Sequence, residues 1–106
     1  MNKISVLNVS MYDIRDGRQK ALLLSGYHRY DKGSAVLTPN VSDAPEMLVA
    51  VQSVTAKPLA ALTADELKQL NLADHNVALD HLRQVVSTAQ MCSTVTVVEF
   101  MFLRSL

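Results

Sequence analysis

In Thr94-Val-Thr-Val-Val-Glu-Phe-Met-Phe-Leu103 almost every position carries a β-branched, aromatic or long apolar side chain, and both alternating faces are mostly apolar. A strand with two apolar faces must be covered on both sides, so this one is predicted to lie centrally in a sheet. Glu99 breaks the pattern, and a carboxylate there needs a donor, a cation or solvent; Arg18 and Lys20 are the candidate cations. Shorter strands are predicted at Ile4 and Val6, extending toward Val9, within Gln19 to Ser25, at Ser34 to Leu37, and from Met47 to about Thr55, the last with both faces largely buried.

Helical signals fall between the strands. Met11 to Gly17 reads as one or two turns stopped by the glycine. Thr63-Ala-Asp-Glu66 is a capping box: the hydroxyl accepts from first-turn amides while the glutamate reaches back to the threonine amide, and a short helix through Leu70 follows. Leu79, Leu82, Val85 and Val86 recur at helical spacing and predict a second helix from about Asp74 to Ala89. Tyr27 to Gly33 reads as a polar, aromatic loop, and Pro39 to Pro45 as a turn-rich connection.

Composition adds limits. At 106 residues, 49% hydrophobic and 19% charged, the chain is predicted to be one self-sufficient α+β domain spanning residues 1–106. Ten basic and ten acidic residues cancel, so bulk electrostatics supplies no field for nucleic acid or an anionic membrane, and such binding would need a local cluster. No apolar run has the length of a membrane span and the first residues lack a signal-peptide pattern, so neither a membrane nor a secreted protein is expected. A lone Cys92 points to a reducing, cytoplasmic setting.

The order of elements, with Asp13-Ile14-x-x-Gly17-Arg18, Gly33, Leu62-Thr63, Leu82-x-x-Val85 and Val97-Val98-Glu99-Phe100-x-x-Leu103, resembles the ASCH domain. The nearest likeness is to the short YqfB-type acetylcytidine amidohydrolases, and it runs from about Met11 to Leu103. It implies a small PUA-like β-barrel of about five to six strands flanked by two to three helices. The family's signature is G-x-K-x-x-x-x-R, and counted from Gly17 its lysine and arginine positions hold Gln19 and Leu24. The family's threonine nucleophile falls on Leu22, and its glutamate, near the start of the long helix, on His75 beside Asp74. A one-residue slip recovers Lys20 and Asp74, and the nearest hydroxyl is then Ser25. Such a slip turns a strand residue to the opposite face unless a bulge intervenes.

Amide hydrolysis needs an activated nucleophile and a proton shuttle, which Leu22 cannot supply. The sequence reading is therefore an ASCH-like domain that binds RNA, a nucleoside or a related small ligand between barrel and helices without the family's hydrolase activity. Its candidate ligand contacts are Arg18, Gln19, Tyr27, His28, Arg29 and Glu99. The basic residues between Arg15 and Lys32 are interleaved with Tyr12, Tyr27 and Tyr30, a composition suited to phosphates and stacked bases if the loop folds over the cleft. An enzyme reading assigns Lys20, Ser25, Asp74 and His75 as the catalytic set of an amidohydrolase. A third reading is a protein-interaction module, a homodimer among its forms. No metal or cofactor is expected: His75 and His81 do not share a helix face, and Asp74 is read as a helix cap. Cys92 is read as a buried or half-buried thiol, and Met47, Met91 and Met101 as core fillers.

Overall fold

The computed structural model describes residues 2–6, 11–39 and 45–106. In chain order it contains β1 (Asn2–Val6), α1 (Met11–Arg15), β2 (Ala21–Ser25), β3 (Gly33–Pro39), β4 (Met47–Pro58), a 3-10 turn (Leu59–Ala61), α2 (Ala64–Gln69), α3 (His75–Arg83) and β5 (Thr94–Ser105). The strands form one five-stranded sheet in the order β1-β3-β4-β5-β2. β1 and β3 are parallel and the other neighbours antiparallel. β5 pairs with β4 on one side and β2 on the other, the interior place predicted for it, but its two faces are covered only as far as Phe100: Met101 and Leu103 are exposed. The sheet is not closed by hydrogen bonds among the described residues, since β1 and β2 are its two edges.

The pairing is staggered. β3 pairs only with residues 47–51 of β4, and β2 only with residues 95–99 of β5. A register shift between Val51 and Ser53 falls at the border, leaving Gln52 as the extra residue of a bulge. The bulge also inverts the side-chain alternation of β4. Met47, Val49 and Val51 face one core before it, whereas Val54 meets that core and Lys57 meets α2 after it. The expectation of two buried faces on β4 therefore fails: Leu48 and Ala50 are half-buried, and Gln52, Thr55 and Ala56 are exposed.

Two cores lie on opposite faces of β2 and β5. Ile4, Ile14, Leu22, Leu37, Val49, Val98 and Phe100 fill the side on which α1 lies, with α1 contributing Ile14. Ala21, Val95 and Val97 meet Leu59, Leu62, Leu67, Leu70, Ala78 and Leu82 on the helical side. Each fully buried leucine contributes roughly 2 kcal/mol by leaving water.

Local chemistry sets the helix ends. Gly17 takes φ 80 and closes α1, with the Gly17 amide donating to the Ile14 carbonyl and Arg18 to Asp13. At α2 the capping box is complete: Thr63 Oγ1 accepts the Glu66 amide at 3.1 Å and Glu66 Oε1 accepts the Thr63 amide at 2.9 Å. The same helix ends in a Schellman motif, with Leu72 N–H donating to Leu67 O and Asn71 N–H to Lys68 O. Asn71 occupies the left-handed position at φ 59.

Several expectations are corrected. α3 begins after Asp74 as predicted but stops at Arg83 rather than Ala89. Val85 then bonds back only to Leu82, and the Arg83 guanidinium donates to the Ala89 carbonyl, tying off a turn rich in residues of modest helix propensity. Val85 is exposed, not a core position. Cys92 is exposed, 3.7 Å from Gln90 Oε1. Met47 is buried and Met91 packs on the helical core, but Met101 is exposed. Val9 and most of the Pro39 to Pro45 connection lie outside the described residues.

Candidate functional site

The stagger of the sheet creates a cleft. β2 begins opposite Glu99, so the edge of β5 beyond that point has no strand beside it among the described residues, and α1 stands off across the gap. The result is a recess of about 440 Å³. Ile14, Phe100, Met101 and Phe102 supply its apolar surface, and Lys20, Gln19, Gln52, Arg15 and Asp16 its polar rim. Its volume falls in the range typical of small-molecule sites.

The polar groups differ in how far they are committed. Gln19 Nε2 donates to the Ala21 carbonyl at 2.9 Å, which leaves its carbonyl oxygen for other use. Arg18 Nε donates to Asp13 Oδ1 at 2.8 Å, and its terminal nitrogen lies 3.3 Å from Asp16, so this candidate ligand contact is held by two carboxylates. Lys20 and Gln52 are exposed and have no side-chain partner among the described residues. Glu99 does not take Arg18 or Lys20 as its partner. Its Oε2 accepts from Ser53 Oγ at 3.0 Å, because the bulge at Gln52 turns Ser53 to the same side of the sheet.

The four residues of the enzyme reading are separated. Lys20 lines the cleft at the entry to β2; its amide donates to the Gln69 carbonyl and its carbonyl accepts from Phe100. Ser25 ends that strand, five residues and about 17 Å further on, and lies on the opposite face by alternation. β2 pairs with β5 in unbroken register, so no bulge brings the two onto one face. Asp74 caps α3 by accepting the Val77 amide at 2.9 Å, and His75 Nε2 lies 2.8 Å from the Leu62 carbonyl. Neither belongs to the lining of the cleft. Leu22 is 1% exposed in the core on the α1 side and Leu24 packs against that core.

The basic, aromatic segment divides likewise. Tyr27, His28 and Arg29 follow β2, at the other end of the strand from Lys20. Their loop is pinned: Thr96 Oγ1 donates to the Gly26 carbonyl at 2.8 Å and accepts the His28 amide at 2.9 Å. His28 Nε2 lies 2.8 Å from the Ser25 carbonyl, and the His28 and Tyr30 rings stack with centroids 6.1 Å apart. Tyr27 is 72% exposed on this fixed loop, and Arg29 is exposed beside it.

Two features escaped the sequence reading. A second recess, about 220 Å³, is lined by Asp13, Gln19, Leu23, Leu70, Asn71, Leu72 and His81. Gln19 is common to both recesses and separates them. Burial lowers the pKa of His81 below its ordinary value, favouring neutral imidazole. The other is an ion pair between Lys57 and Glu66; the capping box marked Glu66, but nothing local to Lys57 marked its partner. Among the described residues no group of three His, Cys, Asp or Glu side chains could hold a metal, and no helix is long and apolar enough to cross a membrane.

No family sequence model matches the chain, and no curated protein matches it in sequence. Solved structures do match. An ASCH domain from Lactobacillus crispatus JV V101 superposes with TM-score 0.64 at 10% identity, covering 95% of this chain and 79% of that one. Protein EF3133 of Enterococcus faecalis V583, of family DUF984, gives 0.65 at 10% identity over 90% and 70%. The hypothetical protein PH0355 gives 0.68 at 11% identity over 95% and 97%. The chain thus has an ASCH-type α+β fold, and at this identity the likeness speaks to fold alone.

Proposed function

We propose that this ASCH-like domain binds RNA, a nucleoside or a related small ligand in the cleft between α1 and β5, without hydrolysing it. The observation that carries the reading is the composition of that cleft. Phe102, half-buried where Phe100 is taken up by the core, borders a recess of about 440 Å³ that also offers the ammonium of Lys20 and the side-chain amide of Gln52. An aromatic ring supports a planar base, an amide can pair with its edge, and a lysine can meet a phosphate. Among the described residues no serine, threonine or cysteine lines the cleft, which supports binding over acyl transfer. Tyr27 and Arg29, at the far end of β2, offer a second contact to a ligand longer than one nucleotide.

The test is titration of the protein with cytidine, acetylcytidine and a short single-stranded RNA at low salt, followed by nuclear magnetic resonance. Expected are shifts confined to the cleft for the nucleosides and extending to Tyr27 and Arg29 for the RNA, with all three affinities weakened about tenfold by Lys20→Ala. Tyr27→Ala should weaken the RNA but spare the nucleosides. Absence of binding to all three, or binding indifferent to Lys20→Ala, would sink the reading. Release of acetate from acetylcytidine would establish the amidohydrolase alternative instead.

A further inference from the structure

The open edge of β5 carries backbone chemistry that the small-ligand reading does not use. In an antiparallel ladder, alternate residues direct both N–H and C=O toward the same neighbour. The Phe100 amide donates to the Lys20 carbonyl and the Gly26 amide to the Thr94 carbonyl, so the even-numbered residues of β5 face β2. Phe102 is next in that series, and there β2 has already turned away: the Lys20 amide is spent on Gln69. The N–H and C=O of Phe102, with the C=O of Phe100, therefore point into the cleft without a backbone partner among the described residues.

An edge of this kind is a template for another strand. Its extent is bounded. Lys20 blocks the lane at one end, and the register shift that leaves Leu103 unpaired bends the edge away at the other. A segment running antiparallel to β5 in this lane heads toward Lys20 in the same direction as β2 and must stop there. At that stop stands an ammonium with no partner among the described residues, complementary to a chain-terminal carboxylate. The wall of the lane is apolar, through Ile14, Phe100 and Phe102, and Met101 beside it is 51% exposed.

We infer that the β5 edge is a docking site for the extended C-terminal tail of a partner protein. The tail pairs antiparallel with Phe100–Phe102, seats an apolar side chain in the cleft and places its terminal carboxylate at Lys20. This goes beyond the small-ligand reading, and the two occupants exclude one another.

The test uses the whole chain and a displayed library of random hexapeptides with free C-termini. Peptides enriched over the same library displayed with blocked C-termini are synthesised as acid, as C-terminal amide, and with the backbone N-methylated at each position in turn. Expected are an aliphatic residue among the last three positions, at least tenfold tighter binding of the acid than of the amide, and loss of that difference in Lys20→Gln. One N-methylation should abolish binding, and the Phe102 amide should shift and exchange more slowly in the complex. No enrichment, equal binding of acid and amide, or an unmoved Phe102 amide would overturn the inference. Nucleoside binding without peptide binding overturns only this inference, and the converse overturns only the small-ligand reading.

Discussion

The Lys57 ammonium lies 2.6 Å from Glu66 Oε1, and this pair fastens the far end of β4 to the first turn of α2. The side chains are 20% and 10% exposed, so neither is freely solvated. Burial is the largest single influence on the Glu66 carboxyl and opposes its ionisation. Hydrogen bonds and charge from Lys57, with the Thr63 amide, together outweigh it and hold the carboxyl below its ordinary value of 4.5. With the folded value depressed, the folded state binds fewer protons than the unfolded chain in acid. The stabilisation is complete above about pH 4.5 and is lost as pH falls through the folded value. Denaturation midpoints measured from pH 7 to pH 3 should drop in that window, and Glu66→Gln should flatten the drop. Lys57→Met, which leaves the carboxylate without its cation, should cost about 2 kcal/mol at neutral pH.

His81 moves stability at a higher pH. Its imidazole is half-buried against the smaller recess, and desolvation alone pushes its pKa below 6.5. The folded state therefore prefers the neutral ring. Stability is intact above pH 6.5, falls as the unfolded histidine begins to take protons that the folded one refuses, and stops falling below the folded value. Between pH 7 and pH 5 the wild type should lose stability that His81→Gln retains. Proton resonances of the His81 ring should titrate below those of an unstructured histidine; a midpoint at or above 6.5 would contradict the desolvated setting.

How far these features were legible in the sequence follows from the range of the interactions. β5 could be placed centrally because both its faces are apolar, and the capping box at Thr63 and Glu66 is a contact three residues long. The separation of Lys20 from Ser25 was also foreseeable, since strand alternation puts them on opposite faces. The bulge at Gln52 was not: it arises where β3 and β2 both begin, a property of the pairing rather than of the residues near Gln52. Its consequences were hidden with it, among them the Ser53 to Glu99 hydrogen bond. The cleft exists because β2 covers half of β5, and strand length at that level lies beyond hydrophobic pattern. The overlong prediction for α3 has a simpler cause: Val85 and Val86 keep the helical spacing for a turn after the backbone has left the helix.

Asn71 tests how α2 is terminated. The Schellman bonds at its end require a left-handed residue, and asparagine adopts φ 59 at lower cost than most side chains. Asn71→Gly should therefore be neutral or slightly stabilising, whereas Asn71→Val should cost roughly 1–2 kcal/mol, the penalty for a branched side chain there. Chemical denaturation of both variants separates this backbone role from any part the amide plays in the smaller recess. A loss of stability in the glycine variant equal to that in the valine variant would show that the side chain, not the backbone, matters.

Thr96 tests the pinned loop. Its hydroxyl is fully buried, donates to the Gly26 carbonyl and accepts the His28 amide, so a single side chain holds both ends of the turn that presents Tyr27. Thr96→Val preserves shape and removes both bonds, leaving the Gly26 carbonyl and the His28 amide without that partner. The expected cost is about 1–2 kcal/mol, because the two stranded backbone groups are half-buried and only partly open to water. Because the strand pairing of Thr96 with Leu24 uses backbone groups, the sheet should persist while the loop loosens. Hydrogen exchange should accelerate at His28 and leave Val97 and Val98 protected. If Tyr27 contacts RNA as proposed, the same variant should weaken RNA binding and leave nucleoside binding at the cleft unchanged. Equal exchange at His28 in the two proteins would mean that the loop is held by its own stacking of His28 on Tyr30.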